Sequence, residues 1–229
     1  MVIDAVDIYW ARVPLAFVWK TSYADQRATD TILVRMQSGR HHAWGESCPP
    51  YIPAYSAEHT LATFHTLREH LAPRIVGHDL RSAPDLLGRF DFVKGNQFAR
   101  AALEIAWWVL EAKRLDVPLH VALGGKGEFV AVGADFGIQD SLDILMQKIQ
   151  GAIGGAICAE LATLPNFTYP ADIFPSSYFY DNDLGKPELA LAGRGLVATS
   201  CVPGIAQEPD PDLLARWTVA HASFRAEGR

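Results

Sequence analysis

A few residue groups in this chain have types and spacings that could do chemistry. His41 and His42 place two imidazoles side by side, and imidazole is a common metal ligand. They fall in a run that reads as a strand, where neighbours point to opposite faces, so the two cannot chelate one ion together. Asp181-Asn182-Asp183 opens like a calcium loop, but Gly185 is the fifth residue rather than the sixth. The twelfth is Ala192 rather than Glu, which excludes an EF-hand loop. Cys48 lies close in sequence to the two histidines, as a nucleophile might to its base. No Asn or Asp completes a triad there, so it reads as a core or loop thiol. Gly124-Gly125 precedes a strand, not the helix start that a phosphate cradle needs. Trp107 and Trp108 read as core aromatics.

These groups need elements to hold them. Ile3–Val13 alternates as a strand that Pro14 should end, Thr29–Met36 is a β-branched strand, and His41–Glu46 returns after the Ser38-Gly39-Arg40 turn. Together they predict a three-stranded antiparallel meander. Cys48–Tyr55 holds three prolines and is irregular. Ser56 is the expected N-cap of a helix with Leu61, Phe64, Leu67 and Leu71 on its apolar face, stopped by Pro73. A short helix is expected from Ser82 or Asp85 to about Phe92. A long one over Gln97–Leu115 is capped by Asn96 and carries Ala101, Ile105, Trp108 and Ala112 inward, and another short one covers Pro118–Leu123.

Beyond Gly125 the pattern changes. Phe129–Gly137 reads as a buried strand and a helix follows Asp140 or Ser141. Leu142, Leu145, Ile149, Ile153, Ile157, Leu161 and Leu164 follow one another in steps of three or four, so a single apolar stripe crosses Gly151, Gly154 and Gly155. Three interior glycines oppose a helix by about 1.5–3 kcal/mol, less than seven buried aliphatic side chains return, and one long helix is expected. Two short strands are expected at Leu189–Ala192 and Gly195–Ala198, and a last helix from Pro211 to about His221.

Composition sets the outer limits. The 229 residues are 49% hydrophobic and 20% charged, as in globular proteins. A net charge of −6 argues against a general nucleic-acid binder. Three scattered cysteines, Cys48, Cys158 and Cys201, with no C-x-x-C, argue against a disulfide framework or a thiolate zinc site. The first residues lack the basic and apolar regions of a signal peptide, and no apolar run reaches bilayer length, so no membrane partner and a cytoplasmic location are expected.

Several stretches, in order, resemble the enolase superfamily, and most closely the branch of o-succinylbenzoate synthases and N-acylamino-acid racemases near the muconate lactonising enzymes. They are WKTSY (Trp19–Tyr23), AWGES followed by PPYIPAYSAE (Ala43–Glu58), Val93–Gly125, VAVGADFGIQDS (Val130–Ser141) and LATLPNFTYPADIFPSS (Leu161–Ser177). The resemblance implies an α+β fold: an enolase-type N-terminal cap domain over residues 1–125, built from the meander and its helices, and a truncated TIM-barrel remnant over 126–229. A full (β/α)₈ barrel takes about 250 residues. Here the helix after the first barrel strand runs straight into a segment resembling the one after the last.

The resemblance also implies a chemistry, abstraction of a proton α to a carboxylate with Mg²⁺ stabilising the enolate and paired lysines as acid and base. The six lysines, Lys20, Lys94, Lys113, Lys126, Lys148 and Lys186, form no Lys-x-Lys pair, and no series of strand-end carboxylates recurs at βα spacing. Neither catalytic residues, metal ligands nor a bound cofactor are therefore expected. The loops that the resemblance places over a substrate survive, with Trp19, Lys20, Tyr23, Tyr51 and Tyr55, and Asp135 at the end of the first barrel strand. Three functions are consistent with this: a degenerate relative binding a small carboxylate, an authentic enzyme of which this chain is an incomplete part, or a homo-oligomeric interaction module covering the open edge of strand Val130–Phe136.

Overall fold

The computed structural model describes residues 1–21, 24–133, 154–173 and 175–227. The meander is present and longer than expected. Strands β1 (Ala5–Lys20), β2 (Asp25–Ser38) and β3 (His41–Ser47) pair antiparallel in that order. Pro14 does not end β1, because the neighbour on its other edge stops pairing at Ala11 and the missing N–H breaks no ladder there.

That neighbour is a correction. The tail is helical only over α6 (Pro211–Trp217), and Thr218–Arg225 is a strand, β9, lying antiparallel along β1. The sheet order is β3-β2-β1-β9, four strands rather than three. The period is two: Ala220, Ala222 and Phe224 face the core while Val219, His221, Ser223 and Arg225 face out.

Helices cover one face of this sheet. The first, α1 (Thr60–Thr66), starts later than expected. Ser56 accepts from the Glu58 amide instead of capping, and the Thr60 amide and hydroxyl are taken up by the Pro50 and Pro49 carbonyls. Past α1 the chain continues as a wider π-helical turn over Leu67–Leu71 and a 3₁₀ turn at Ala72–Arg74 that accommodates Pro73. Ser82 caps α2 (Ala83–Gly88) through the Asp85 amide, and that helix stops short of Phe92.

The long helix α3 (Gln97–Leu115) has the expected bounds, but its start is capped differently. Asn96 is left-handed and makes no side-chain cap, and the Glu58 carboxylate accepts from the Gln97 and Phe98 amides at 2.8 and 3.0 Å. Its buried stripe is Ala99, Ala102, Leu103, Ala106, Trp107, Val109, Leu110 and Ala112. Ala101, Ile105 and Trp108 are half-buried beside it, so the inward face is rotated from the expected one. The rotation lets Ala102 and Ala106 approach Gly45 of β3, where an added Cβ would lie 2.2 Å from the Ala102 carbonyl oxygen.

After α4 (Leu119–Ala122), β4 (Phe129–Ala131) pairs antiparallel with β7 (Leu196–Ala198), which pairs with β6 (Leu191–Gly193). On the other side Val132 bridges Ala171. The open edge expected along Val130–Phe136 is thus paired over its described part. Val130, Val197, Ile173 and Leu189 close a small core with Ala156 and Ala159 of α5 (Gly154–Leu161). The expected continuous helix falls largely on residues 142–153, outside the described residues, as do positions 134–137 of the expected strand. A two-stranded pair, β5 (Gly185–Lys186) with β8 (Glu208–Pro209), completes the fold. Among the described residues no helix is long and apolar enough to cross a membrane.

Candidate functional site

The two faces of the β1–β3 sheet carry different chemistry. On the helical face, at the far end of the hairpin, Arg12 and Asp30 are direct cross-strand partners. The guanidinium is forked on the carboxylate, Nε at 3.2 Å from both oxygens and Nη2 at 3.0 Å from Oδ2, and the Trp10 indole N–H donates to Oδ1 at 2.6 Å. Hydrogen bonding to buried Asp30 holds Arg12 protonated above its ordinary range. The guanidinium lies 4.3 Å over the ring of Tyr51. Residues 24–28 and Pro50–Ile52 wall this pair into an open cleft of about 290 Å³. A cation fixed by its partner, beside the apolar Pro50, Tyr51 and Ile52, can receive a carboxylate on the N–H edge that Asp30 does not occupy.

On the opposite face, residues 180–184 and α6 lie over Ala11, Val13 and Leu33. There Thr31 donates to Glu46 Oε1 at 2.6 Å, and the Cys48 thiol lies 3.7 Å from the same oxygen. Oε2 is buried with no hydrogen-bond partner among the described residues. Burial, then the charge of Asp183, pushes the Glu46 carboxyl above its usual range. Crowding by protein atoms, then Glu46, pushes the Cys48 thiol up as well, although part of the residue's surface stays open to solvent. Burial and the same acidic neighbours raise the Tyr180 phenol. This patch favours neutral, protonated groups, and its thiol is a poor nucleophile.

The expected site residues divide between these places. Tyr51 lines the cleft and is 56% exposed. Trp19 is 44% exposed at the end of β1, its ring 5.6 Å from that of Phe179, and it does not line the cleft. Lys20 is exposed opposite Asp25 in the hairpin. Tyr55 is 79% exposed and does not line the cleft. Tyr23 and Asp135 lie outside the described residues. Arg12, Asp30 and Glu46 were not singled out in the sequence. Opposite charges on adjacent strands signal the first two once the hairpin register is counted.

The earlier candidates separate too. His42 bonds Glu208 at 3.1 Å while His41 receives the Arg40 Nε, so the two imidazoles diverge. The Gly124-Gly125 turn packs on Thr163, and Trp107 and Trp108 meet edge to face in the core.

Residues 10–124 match the family described as the mandelate racemase / muconate lactonizing enzyme N-terminal domain. The chain belongs to this family. Among curated proteins it is similar to an o-succinylbenzoate synthase of Geobacillus kaustophilus, 37% identical over 149 residues, 65% of this chain and 40% of that one. An N-succinylamino acid racemase of Thermus thermophilus is 31% identical over 66% of this chain and 41% of its own length. The chain thus spans about 40% of the length of the curated relatives it matches. In fold it is similar to an enolase superfamily member from Listeria innocua, with a TM-score of 0.88 at 16% identity, covering 98% of this chain and 99% of that one. Membership of the enolase superfamily and the α+β cap expected from the sequence stand on these findings.

Members of this superfamily use Mg²⁺. A hard cation needs several converging oxygen ligands. Among the described residues no three His, Cys, Asp or Glu side chains converge on one point, and Glu46 and Asp183 bring no third carboxylate. The described residues do not fit such an ion.

Proposed function

We propose that this chain is a degenerate member of its family that no longer carries out metal-assisted proton abstraction and instead binds a small carboxylate in the cleft at Arg12 and Tyr51. The observation that carries the reading is the Asp30-fixed guanidinium facing that cleft between the start of β2 and the surviving Pro50–Ile52 loop. Two features support the loss of chemistry: six lysines without a Lys-x-Lys pair, and a β4 that takes the antiparallel strand β7 as a neighbour, where a (β/α)₈ barrel strand would take parallel ones. Relatives named N-succinylamino acid racemase suggest the ligand class, an amino acid bearing a succinyl carboxylate.

The purified chain with Mg²⁺ and an N-succinylamino acid in deuterated buffer should show no exchange of the α-proton by NMR, and turnover would overturn the reading. Calorimetry with the same compound should show binding that Tyr51→Ala weakens at least tenfold, about 1.4 kcal/mol. No binding heat, or equal binding by that variant, would remove the cleft from the proposal.

A second reading, that this chain is part of a longer active enzyme, is favoured by the 40% span of the relatives. Intact mass of the native protein separates the two: about 25 kDa supports a degenerate relative, and near 40 kDa, the size of a cap plus a full barrel of about 250 residues, supports the enzyme.

A further inference from the structure

The turn that follows α1 is wider than an α-helix. Its closing bond runs from the Ala72 amide to the Leu67 carbonyl, a step of five residues. Such i→i+5 turns are rare and recur at functional sites. The geometry changes which side chains meet. In an α-helix, residues four apart share a face and residues five apart diverge. Where the turn widens, residues five apart stand one above the other. His65 is the last basic residue of α1 and His70 lies inside the wide turn, five residues on.

Their rings are 5.8 Å apart between centres and edge to face. Both residues are exposed, on the side of the helix away from the buried Phe64, Leu67 and Leu71. Two imidazole nitrogens bound to one ion at about 2.0–2.1 Å lie about 3 Å apart, a separation these rings reach by rotating about their side-chain bonds. The charged side chains of the same turn and the one after it are already bonded. Arg68 bonds Glu69 at 2.5 Å, and Arg74 donates to the His70 carbonyl at 2.6 Å.

We propose that His65 and His70 form a two-histidine chelate for a first-row divalent transition metal, assembled by the π-helical turn and independent of the Arg12 cleft. Imidazole suits Zn²⁺, Ni²⁺ and Cu²⁺, and water fills the remaining positions of an open, exchangeable site.

Titration of the 229-residue chain with NiCl₂ tests this, since paramagnetic Ni²⁺ broadens the ring-proton NMR signals of the histidines it touches. The His65 and His70 signals should broaden together at substoichiometric Ni²⁺, before those of the other six histidines. A chelate has a further signature: His65→Ala and His70→Ala should each lose at least tenfold in affinity, because one imidazole holds the ion far more weakly than two held together, and the double variant should lose at least as much as either. Both residues are exposed, so the variants fold, and circular dichroism verifies it. Either single variant keeping the parent affinity, or Ni²⁺ binding unchanged in the double variant and held by Cys48, Cys158 or Cys201, would overturn the proposal.

Discussion

Asp7 is buried on β1 beside two guanidinium groups and an imidazole. Arg225 Nη2 lies 2.8 Å from Oδ1, Arg35 3.5 Å from Oδ2, and His221 3.7 Å away. Burial opposes ionisation, but hydrogen bonds from Ser223 and Arg225 and the charge of Arg35 prevail and hold the carboxyl below its usual range. A carboxyl depressed on folding stabilises the protein at pH values above its unfolded pKa of about 3.9 and loses that contribution as pH falls through the lower folded value. Asp7→Asn should cost about 1–3 kcal/mol in urea unfolding at pH 7, and the difference from the parent should shrink below about pH 4. Glu46 has the opposite sign. Its folded carboxyl is raised, so the folded state holds the proton more tightly, and stability declines as pH rises from its unfolded pKa of about 4.3 through the folded value. Glu46→Gln removes that slope. Melting temperatures at pH 5 and pH 8 should show the parent losing stability more than the variant, and a parent that gains between those values would contradict the assignment. Neither role was legible in the sequence, because each depends on which residues a strand pairing brings alongside, not on the run containing Asp7 or Glu46.

At the scale of elements, legibility follows from how locally each is determined. The meander could be read because apolar alternation marks the start of β1, a β-branched run marks β2, and the Ser38-Gly39-Arg40 turn returns the chain as β3. The bounds of α3 could be read, yet its inward face was misjudged: the choice between Ala101/Ile105 and Ala102/Ala106 is made by Gly45 across the interface, not by the helix. Gly45→Ala tests that contact. Its Cβ would fall 2.2 Å from the Ala102 carbonyl oxygen and 2.6 Å from the Ala106 nitrogen, both backbone, so the helix must retreat from the sheet. The cost should lie at or above the upper end of the about 1–3 kcal/mol typical of overpacking, read as a lowered thermal midpoint. β9 was misread for a related reason. Its inward residues are mostly small, so Thr218–Arg225 has little hydrophobic amplitude, and the neighbouring helix signal of Pro211–Trp217 ran over it.

Across the whole molecule, one buried carboxylate joins early and late parts of the chain. Glu160 of α5 is 1% exposed, and its Oε2 accepts from the amide and the ring Nδ1 of His120, each at 2.8 Å, while Oε1 accepts from the Ser200 amide. Three donors from α4 and the strand-following loop therefore depend on a residue that enters from a third element. Glu160→Ala strips all three and should destabilise the fold by about 3–5 kcal/mol. Hydrogen exchange should then rise at the His120 and Ser200 amides before it rises in β1–β3. Uniform exchange throughout would mean that the two halves unfold as one and that the clamp has no local role. The candidate cleft was legible only through Tyr51; its charged floor lies in two strands whose pairing had to be seen.

The pairing of β9 with β1 joins residues near opposite ends of the sequence: Ala5 lies against Arg225, and the Ala226 amide donates to the Asp4 carbonyl. A ribosome delivers β9 more than two hundred residues after the β1 positions it pairs with. At translation speeds of about 5–20 residues per second, β1 waits about ten seconds or more with one edge unpaired, and a strand edge in that state invites pairing with other chains. The pause belongs to the vectorial synthesis of the polypeptide and is absent when the finished chain refolds from denaturant. Refolding yield in vitro and soluble yield in a cell therefore measure different hazards for this protein, and a nascent-chain chaperone that shields β1 would improve only the second.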